Sequence, residues 1–330
     1  MKAWYGLIAV SVLFLLAMIG VQNLGLQVLF GVVVPYAALG IFLVGVGVKV
    51  LSWAKSPVPF RIPTTSGQQK SLSWIRSSYI DSPHTTLGVL CRMALEVLCF
   101  RSLFCNTKME LKSGPKVVYG SSKWLWVGAM AMHWCMLVIL LRHLRFFTEP
   151  VPGFVGAITA VDGFFEVGLP AIYITSAGFL AGLVYLLVRR LWSPQVRYIS
   201  LVADYFSLFL LIGIATTGVL LRHVVKTDLE SIKEFALGLM AFAPVVPAGV
   251  HYLFYVHLFF VSTLLAYFPF SKLMHFAGVF LSPTRNLAND SRARRHVNPW
   301  NAPVKVHTYA EYEDEFRERM IEAGLPVEKT

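Results

Sequence analysis

Charge is scarce in this sequence: Asp, Glu, Lys and Arg make up only 14% of its 330 residues, where a soluble globular domain carries about 25%. Hydrophobic residues reach 56% and the mean hydropathy is +0.62, so water is not the main solvent of this chain. Cysteine is scarcer still. Cys91, Cys99, Cys105 and Cys135 form no C-x-x-C pair, no C-x-x-C-H haem-attachment motif and no four-thiolate set, so neither a covalent c-type haem nor an iron-sulfur cluster is expected. No small-x-small cleavage site follows the first apolar stretch, which reads as a retained helix rather than a signal peptide. Internal repeats are also missing, and with them the usual mark of a transporter.

Long apolar runs, in contrast, are abundant. They fall near residues 3–21, 28–53, 124–146, 168–191, 204–223 and 250–275, each close to the roughly 20 residues that cross a bilayer core as helix. A span in lipid must be helical, because it has to satisfy its own backbone amides. The expected fold is therefore all-α, a polytopic bundle of about six transmembrane helices with both termini on one side. Four regions follow: an N-terminal helix pair at 1–53, a polar loop at 54–123, a four-helix domain at 124–281 and a polar tail at 282–330. Within the loop, residues 87–104 read as one amphipathic helix along the headgroup boundary, after a Pro- and Ser-rich stretch. The tail ends in a charged helix at 309–323, stopped by Gly324 and Pro326, and reads as a docking surface.

The net charge of +11 would suit a nucleic-acid partner only if it lay along one soluble face. Here the Lys and Arg gather between apolar spans, so no nucleic acid is expected. Residues 54–123 hold ten of them against three acids, and by the positive-inside tendency this loop is cytoplasmic. Arg189, Arg190 and Arg197, and then Arg285, Arg292, Arg294 and Arg295, fall on that same side if all six spans exist. The localisation implied is the cytoplasmic membrane, multi-pass, with both termini cytoplasmic.

Ionisable residues inside a bilayer are costly and are by default functional. His133 and His143 lie on the third span, His257 and His275 on the sixth, His223 at the end of the fifth, and His251 at the mouth of the sixth. The third and sixth spans run in opposite directions, so the four histidines sort into two levels, His133 with His275 near the inner face and His143 with His257 near the outer. The gap of ten residues leaves the first two about 80° apart around their helix, and the gap of eighteen leaves the second two about 0° apart. Each pair can thus face one neighbour, as the axial ligation of two stacked b-type haems requires. The rises differ, about 15 Å against about 27 Å, so tilt or a break at Pro269 has to absorb the difference. Arg142 and Arg145 beside His143 are candidate contacts for haem propionates. His223 and His251 are candidate quinone contacts, since an imidazole near neutrality can accept or release a proton. His84, His296 and His307 lie in polar segments and are expected to be solvated.

The spacing of His133, His143, His257 and His275 resembles that of the nitrate reductase gamma subunit family, in which one helix carries two haem ligands ten residues apart and a later helix two more eighteen apart. The resemblance implies crossed pairing, His133 with His275 and His143 with His257, and a tolerance of the unequal rises. A longer resemblance, to the DsrM family of membrane cytochromes from the sulfite-reduction-associated (DsrMKJOP) complex, rests on SPVPFRIPTTSGQQK from Ser56, YGSSKWL from Tyr119, RHLRFFTEPVP from Arg142, and FPFSKLMH, SPTRNLAND and HVNPWN between Phe268 and Asn301. It implies a cytoplasmic iron-sulfur partner related to heterodisulfide reductases (DsrK-like), a second quinone-interacting membrane subunit (DsrP-like), and extracytoplasmic iron-sulfur and multihaem cytochrome c subunits. It also implies menaquinone as the exchangeable carrier. The expected function is an electron-transfer subunit in dissimilatory sulfate or sulfite reduction, passing electrons between menaquinol and the cytoplasmic partner. A proton-coupled transporter and a haem-free membrane anchor are the competing classes, and both would be colourless.

Overall fold

Six helices in the computed structural model are long and apolar enough to span a membrane: Lys2–Gln22, Leu29–Ala54, Lys123–Phe146, Ile174–Trp192, Val202–Val225 and Tyr252–Phe270. The structure describes residues 2–56, 62, 66–114, 116–168, 170–294, 303 and 305–328; most of residues 57–65 and all of residues 295–302, with His296, lie outside it. Leu16, Leu43, Val44, Leu140 and Val188 are exposed along the spans, as faces turned to lipid would be.

In chain order the helices are α1 (Lys2–Gln22), α2 (Val34–Ala54, entered through a π-helical turn at Leu29–Val33), α3 (Thr86–Cys99), α4 (Arg101–Cys105), α5 (Lys123–His143), α6 (Gly153–Phe164), α7 (Ile174–Trp192), α8 (Pro194–Ile199), α9 (Val202–Val219, continued by a π-helical turn at Leu220–Val225), α10 (Leu229–Met240), α11 (Tyr252–Tyr267), α12 (His275–Leu281), α13 (Pro283–Asn286) and α14 (Tyr309–Glu322). Two antiparallel hairpins complete the chain, β1 (Thr107–Lys112) with β2 (Lys116–Ser121) and the short β3 (Glu166–Val167) with β4 (Ile172–Tyr173).

Local chemistry sets several boundaries. Thr85 caps α3, its hydroxyl accepting the Gly88 N–H at 3.2 Å, and Thr308 with Glu311 forms a reciprocal capping box on α14. The amphipathic helix expected over residues 87–104 is two helices: Phe100 sits in the left-handed region at φ 48°, which ends α3 and restarts the chain as α4. The sixth span does not reach residue 275. It leaves α-geometry at Phe268, where Pro269 cannot donate to the helical ladder, and Ser271 then extends the backbone (φ −115°, ψ 173°). The fourth span begins at Ile174, not near 168, because the β3–β4 turn takes up the residues before it.

Two apolar cores meet along α9. One gathers Val10 and Ala17 of α1, Leu210 of α9, Phe235 of α10 and Tyr255 and Phe260 of α11; the other joins Met132 of α5, Phe179 and Leu183 of α7 and Leu211 of α9. Helix α5 approaches α7 closely because Gly178 and Gly182 are four residues apart: an added Cβ would lie 2.8 Å from Cys135 Sγ or 2.9 Å from Met132 Cβ. The packed order is α5 on α7, α7 on α9, and α9 on α11, while α5 and α11 share no extended interface.

The bundle has two distinct polar ends. At one, the Lys2 ammonium donates to the Ser200 carbonyl at 2.9 Å, and Asp204 pairs with Arg190 at 3.5 Å and Lys272 at 2.9 Å. There the segment leading into α3 is joined to the tail. Buried Arg92 donates to the carbonyls of Arg285 and Leu287, Arg285 pairs with Glu96, and the Asn289 N–H donates to the Pro83 carbonyl. Burial pushes the Arg92 guanidinium below its ordinary pKa, with the nearby Arg285 charge acting in the same direction. At the other end Arg142 pairs with Asp162 at 2.6 Å, and Lys233 pairs with Glu149.

Candidate functional site

The break after α11 is what brings the inner histidines together. A straight helix would carry His275 about 12 Å beyond Tyr267. Two 3₁₀ turns separated by the extended Ser271 break that course instead, and His275 opens α12. Its ring centroid lies 6.1 Å from that of His133, with the planes at 86°. Given a metal–nitrogen bond of about 2 Å and about 1.1 Å from nitrogen to ring centre, two imidazoles on one ion stand about 6 Å apart. Phe100, at the bend between α3 and α4, packs edge-on against His133 at 5.0 Å. The Trp126 and Trp134 indoles donate to the carbonyls of Cys99 and Leu98, which fixes that bend against α5.

Outer histidines His143 and His257 come from the far end of α5 and the first turns of α11. All four rings share one feature: their Nδ1 atoms face acceptors. His133 Nδ1 is 2.8 Å from the Ala129 carbonyl, His143 Nδ1 2.7 Å from Ile139, His275 Nδ1 2.9 Å from Lys272, and His257 Nδ1 2.9 Å from the Thr217 hydroxyl. An imidazole whose Nδ1–H is donated keeps its lone pair on Nε2, the arrangement metal-ligating histidines adopt. The Nδ1 acceptors of all four rings and the 6.1 Å spacing of His133 and His275 fit bis-histidine haem ligation. Among the described residues no group of three or more His, Cys, Asp or Glu could hold a bare metal ion.

The remaining predicted residues are placed as follows. Arg142 is buried, ion-paired with Asp162 and 4.3 Å from the Tyr173 ring. Asp162 also accepts the backbone N–H and hydroxyl of Thr175, so Arg142 is tied to a protein network. Arg145 donates to the Thr159 hydroxyl at 2.6 Å. His223, in the π-helical turn that ends α9, packs edge-on against Tyr173 at 5.2 Å, and Arg222 donates to the Tyr173 hydroxyl at 3.2 Å. Tyr173, Arg222, His223, Glu166 and Lys226 line a cleft of about 510 Å³. His251 caps α11, its Nδ1 accepting the Leu253 N–H, and its ring is exposed. His84 stacks edge-on with Tyr79, and His307 is exposed. Sequence reasoning missed Thr217, Phe100 and Tyr173. Only Asp162, an acid between apolar residues, carried a visible signal.

Six long apolar helices mark an integral membrane protein, and its similarities to known proteins support the cytochrome b electron-transfer class. The family described as nitrate reductase gamma subunit matches residues 87–293, more than half of the chain. The chain belongs to that family. It is 45% identical over 281 residues to the "Hdr-like menaquinol oxidoreductase cytochrome b-like subunit" of Archaeoglobus fulgidus, covering 83% of this chain and 84% of that protein. The protein of the same description from Archaeoglobus profundus is 43% identical over 274 residues, 81% of each. The respiratory nitrate reductase 1 gamma chain of Escherichia coli K12 is 35% identical over 104 residues, 29% of this chain and 46% of that one.

Proposed function

We propose that this chain is a dihaem cytochrome b subunit that passes electrons between menaquinol and a cytoplasmic iron-sulfur subunit of the heterodisulfide-reductase-like (DsrK-like) type, in a complex of sulfate or sulfite respiration. The observation that carries the proposal is the inner ring pair at 6.1 Å with both Nδ1 atoms tied to carbonyls. The names of the two Archaeoglobus relatives support the menaquinol link. The longer resemblance of the loops and tail to the DsrM family supports the sulfur-linked role, the DsrP-like membrane partner and the extracytoplasmic iron-sulfur and multihaem cytochrome c partners. A bound b haem supplies a one-electron relay.

The residues divide the work by level. His133 and His275 would hold the inner group and His143 and His257 the outer one. Menaquinol would give up two electrons, one at a time and onward to the cytoplasmic iron-sulfur partner, and two protons near the outer level: Tyr173 and Arg222 orient a headgroup in the cleft, and the His223 imidazole takes up each proton in turn and returns it to the outer aqueous side. Phe100 and α4 close the inner level against the region where the cytoplasmic partner docks. Both termini and residues 54–123 then lie on the cytoplasmic side of the inner membrane, as the positive loop predicts.

Absorption spectra of the purified complex, oxidised and dithionite-reduced, with a pyridine haemochrome count, test this reading. Two b haems per chain, partly reduced by a menaquinol analogue, are expected. A properly assembled complex without b-haem bands would overturn it.

A further inference from the structure

Three of the four imidazoles are held by carbonyls of their own chain segment, three or four residues back. His257 is held from another helix. Thr217 on α9 is buried, and its hydroxyl oxygen is 2.9 Å from His257 Nδ1. The same hydroxyl donates back along its helix, to the Gly213 carbonyl at 2.8 Å and the Ile214 carbonyl at 3.1 Å. Its proton being committed there, the oxygen meets the imidazole as an acceptor, and the β-branched side chain is fixed in one rotamer. The next residue, Gly218, completes the support: a Cβ there would lie 3.3 Å from His257 Cε1. The ring therefore rests on a bare glycine with its Nδ1–H pointed at Thr217.

We propose that Thr217 is a positioning residue that fixes the tautomer and plane of His257 and sets the reduction potential of the outer haem apart from that of the inner one. This rests on the dihaem reading above. Donation of Nδ1–H makes Nε2 more basic, and a more basic ligand favours the oxidised iron. A hydroxyl is a weaker acceptor than an amide carbonyl, so His257 is the less basic of the four ligands and the outer haem is the easier one to reduce for a given environment. Removing the acceptor makes reduction easier still.

Redox titration of the purified complex, followed in the α band and by electron paramagnetic resonance of the low-spin haems, decides the matter. In Thr217→Val one of the two midpoint potentials is expected to rise, by an equilibrium change of up to about tenfold, or 59 mV for one electron. The affected haem is the one that His143→Ala removes. Its low-spin g values shift, the other haem is unchanged, and Thr217→Ser restores the wild-type values. Selective loss of that haem in Thr217→Val, with recovery in Thr217→Ser, supports the same role. If Thr217→Val does not assemble, Thr217→Cys, with a weaker acceptor of similar size, is read by the same criteria. Two haems whose potentials and g values ignore these substitutions, or shift together, overturn the role of Thr217 alone. A wild-type complex lacking b haem overturns the dihaem reading itself.

Discussion

The inner and outer histidine pairs draw on the same two parts of the chain and are secured by opposite means. At the inner end, His275 sits just past a broken helix, and His133 is backed by Phe100 from a loop segment that is itself tied to the tail through Arg92, Arg285 and Asn289. At the outer end His257 lies within a regular helix, held by Thr217 and Gly218, and the neighbouring Arg142 is locked by Asp162. The inner site is thus assembled from segments distant in sequence, beside the end of the bundle where the loop and the tail are joined. The outer site is braced from within the bundle.

Breaking the ligands themselves should have the largest effect. His133→Ala or His275→Ala is expected to lower the haem content from two per chain to about one, and His143→Ala or His257→Ala to remove the other haem, as counted by pyridine haemochrome and told apart by their low-spin resonances. Loss of both haems from any single substitution would show that the two levels are not separate. Next comes the outer brace: Asp162→Ala leaves the Arg142 guanidinium buried without a partner, at a cost of about 3–5 kcal/mol. A lowered thermal midpoint in detergent should accompany perturbation of the outer haem alone. Equal perturbation of both haems would mean that the ion pair supports the whole bundle.

A smaller effect is expected on the inner side, where Phe100→Ala removes an edge-on ring contact worth about 0.5–1.5 kcal/mol. The inner haem band should broaden while the outer one stays as it is. The smallest effect concerns the outer loop. Asp228 is held below the usual carboxylate pKa by the Ser231 hydroxyl and then by the Glu230 N–H, so its capping of α10 is complete above the unfolded value and is lost as pH falls through the lower, folded one. Hydrogen exchange in the first turn of α10 should therefore quicken only on acidification below about pH 4. Onset at neutral pH would point to a different group.

Much of the bundle was legible because its signals are local. Each apolar run near 20 residues has one solution in lipid, and the polar joints, Gly25 with φ 64° among them, fall between runs. The breaks inside elements were harder to read: Pro269 was visible as a break, but the extended Ser271 beside it was not. Phe100 gave no warning either, since a left-handed aromatic residue is disfavoured locally and is held here by packing on His133. The β1–β2 hairpin was missed because Met109, Leu111, Val117 and Tyr119 are all exposed, leaving no buried face to mark its alternation against the surrounding loop.

The site divides along the same line. Composition alone marked six helices long and apolar enough to cross a membrane, and helical pitch gave the expectation of four histidines at two levels, because both depend on neighbours a few residues away. That His257 meets Thr217, that His275 lies 6.1 Å from His133, and that Arg142 is tied to Asp162 were decided by the tertiary structure. Those contacts join residues 20 to 142 positions apart, and only the packing of one segment on another brings such distant side chains together.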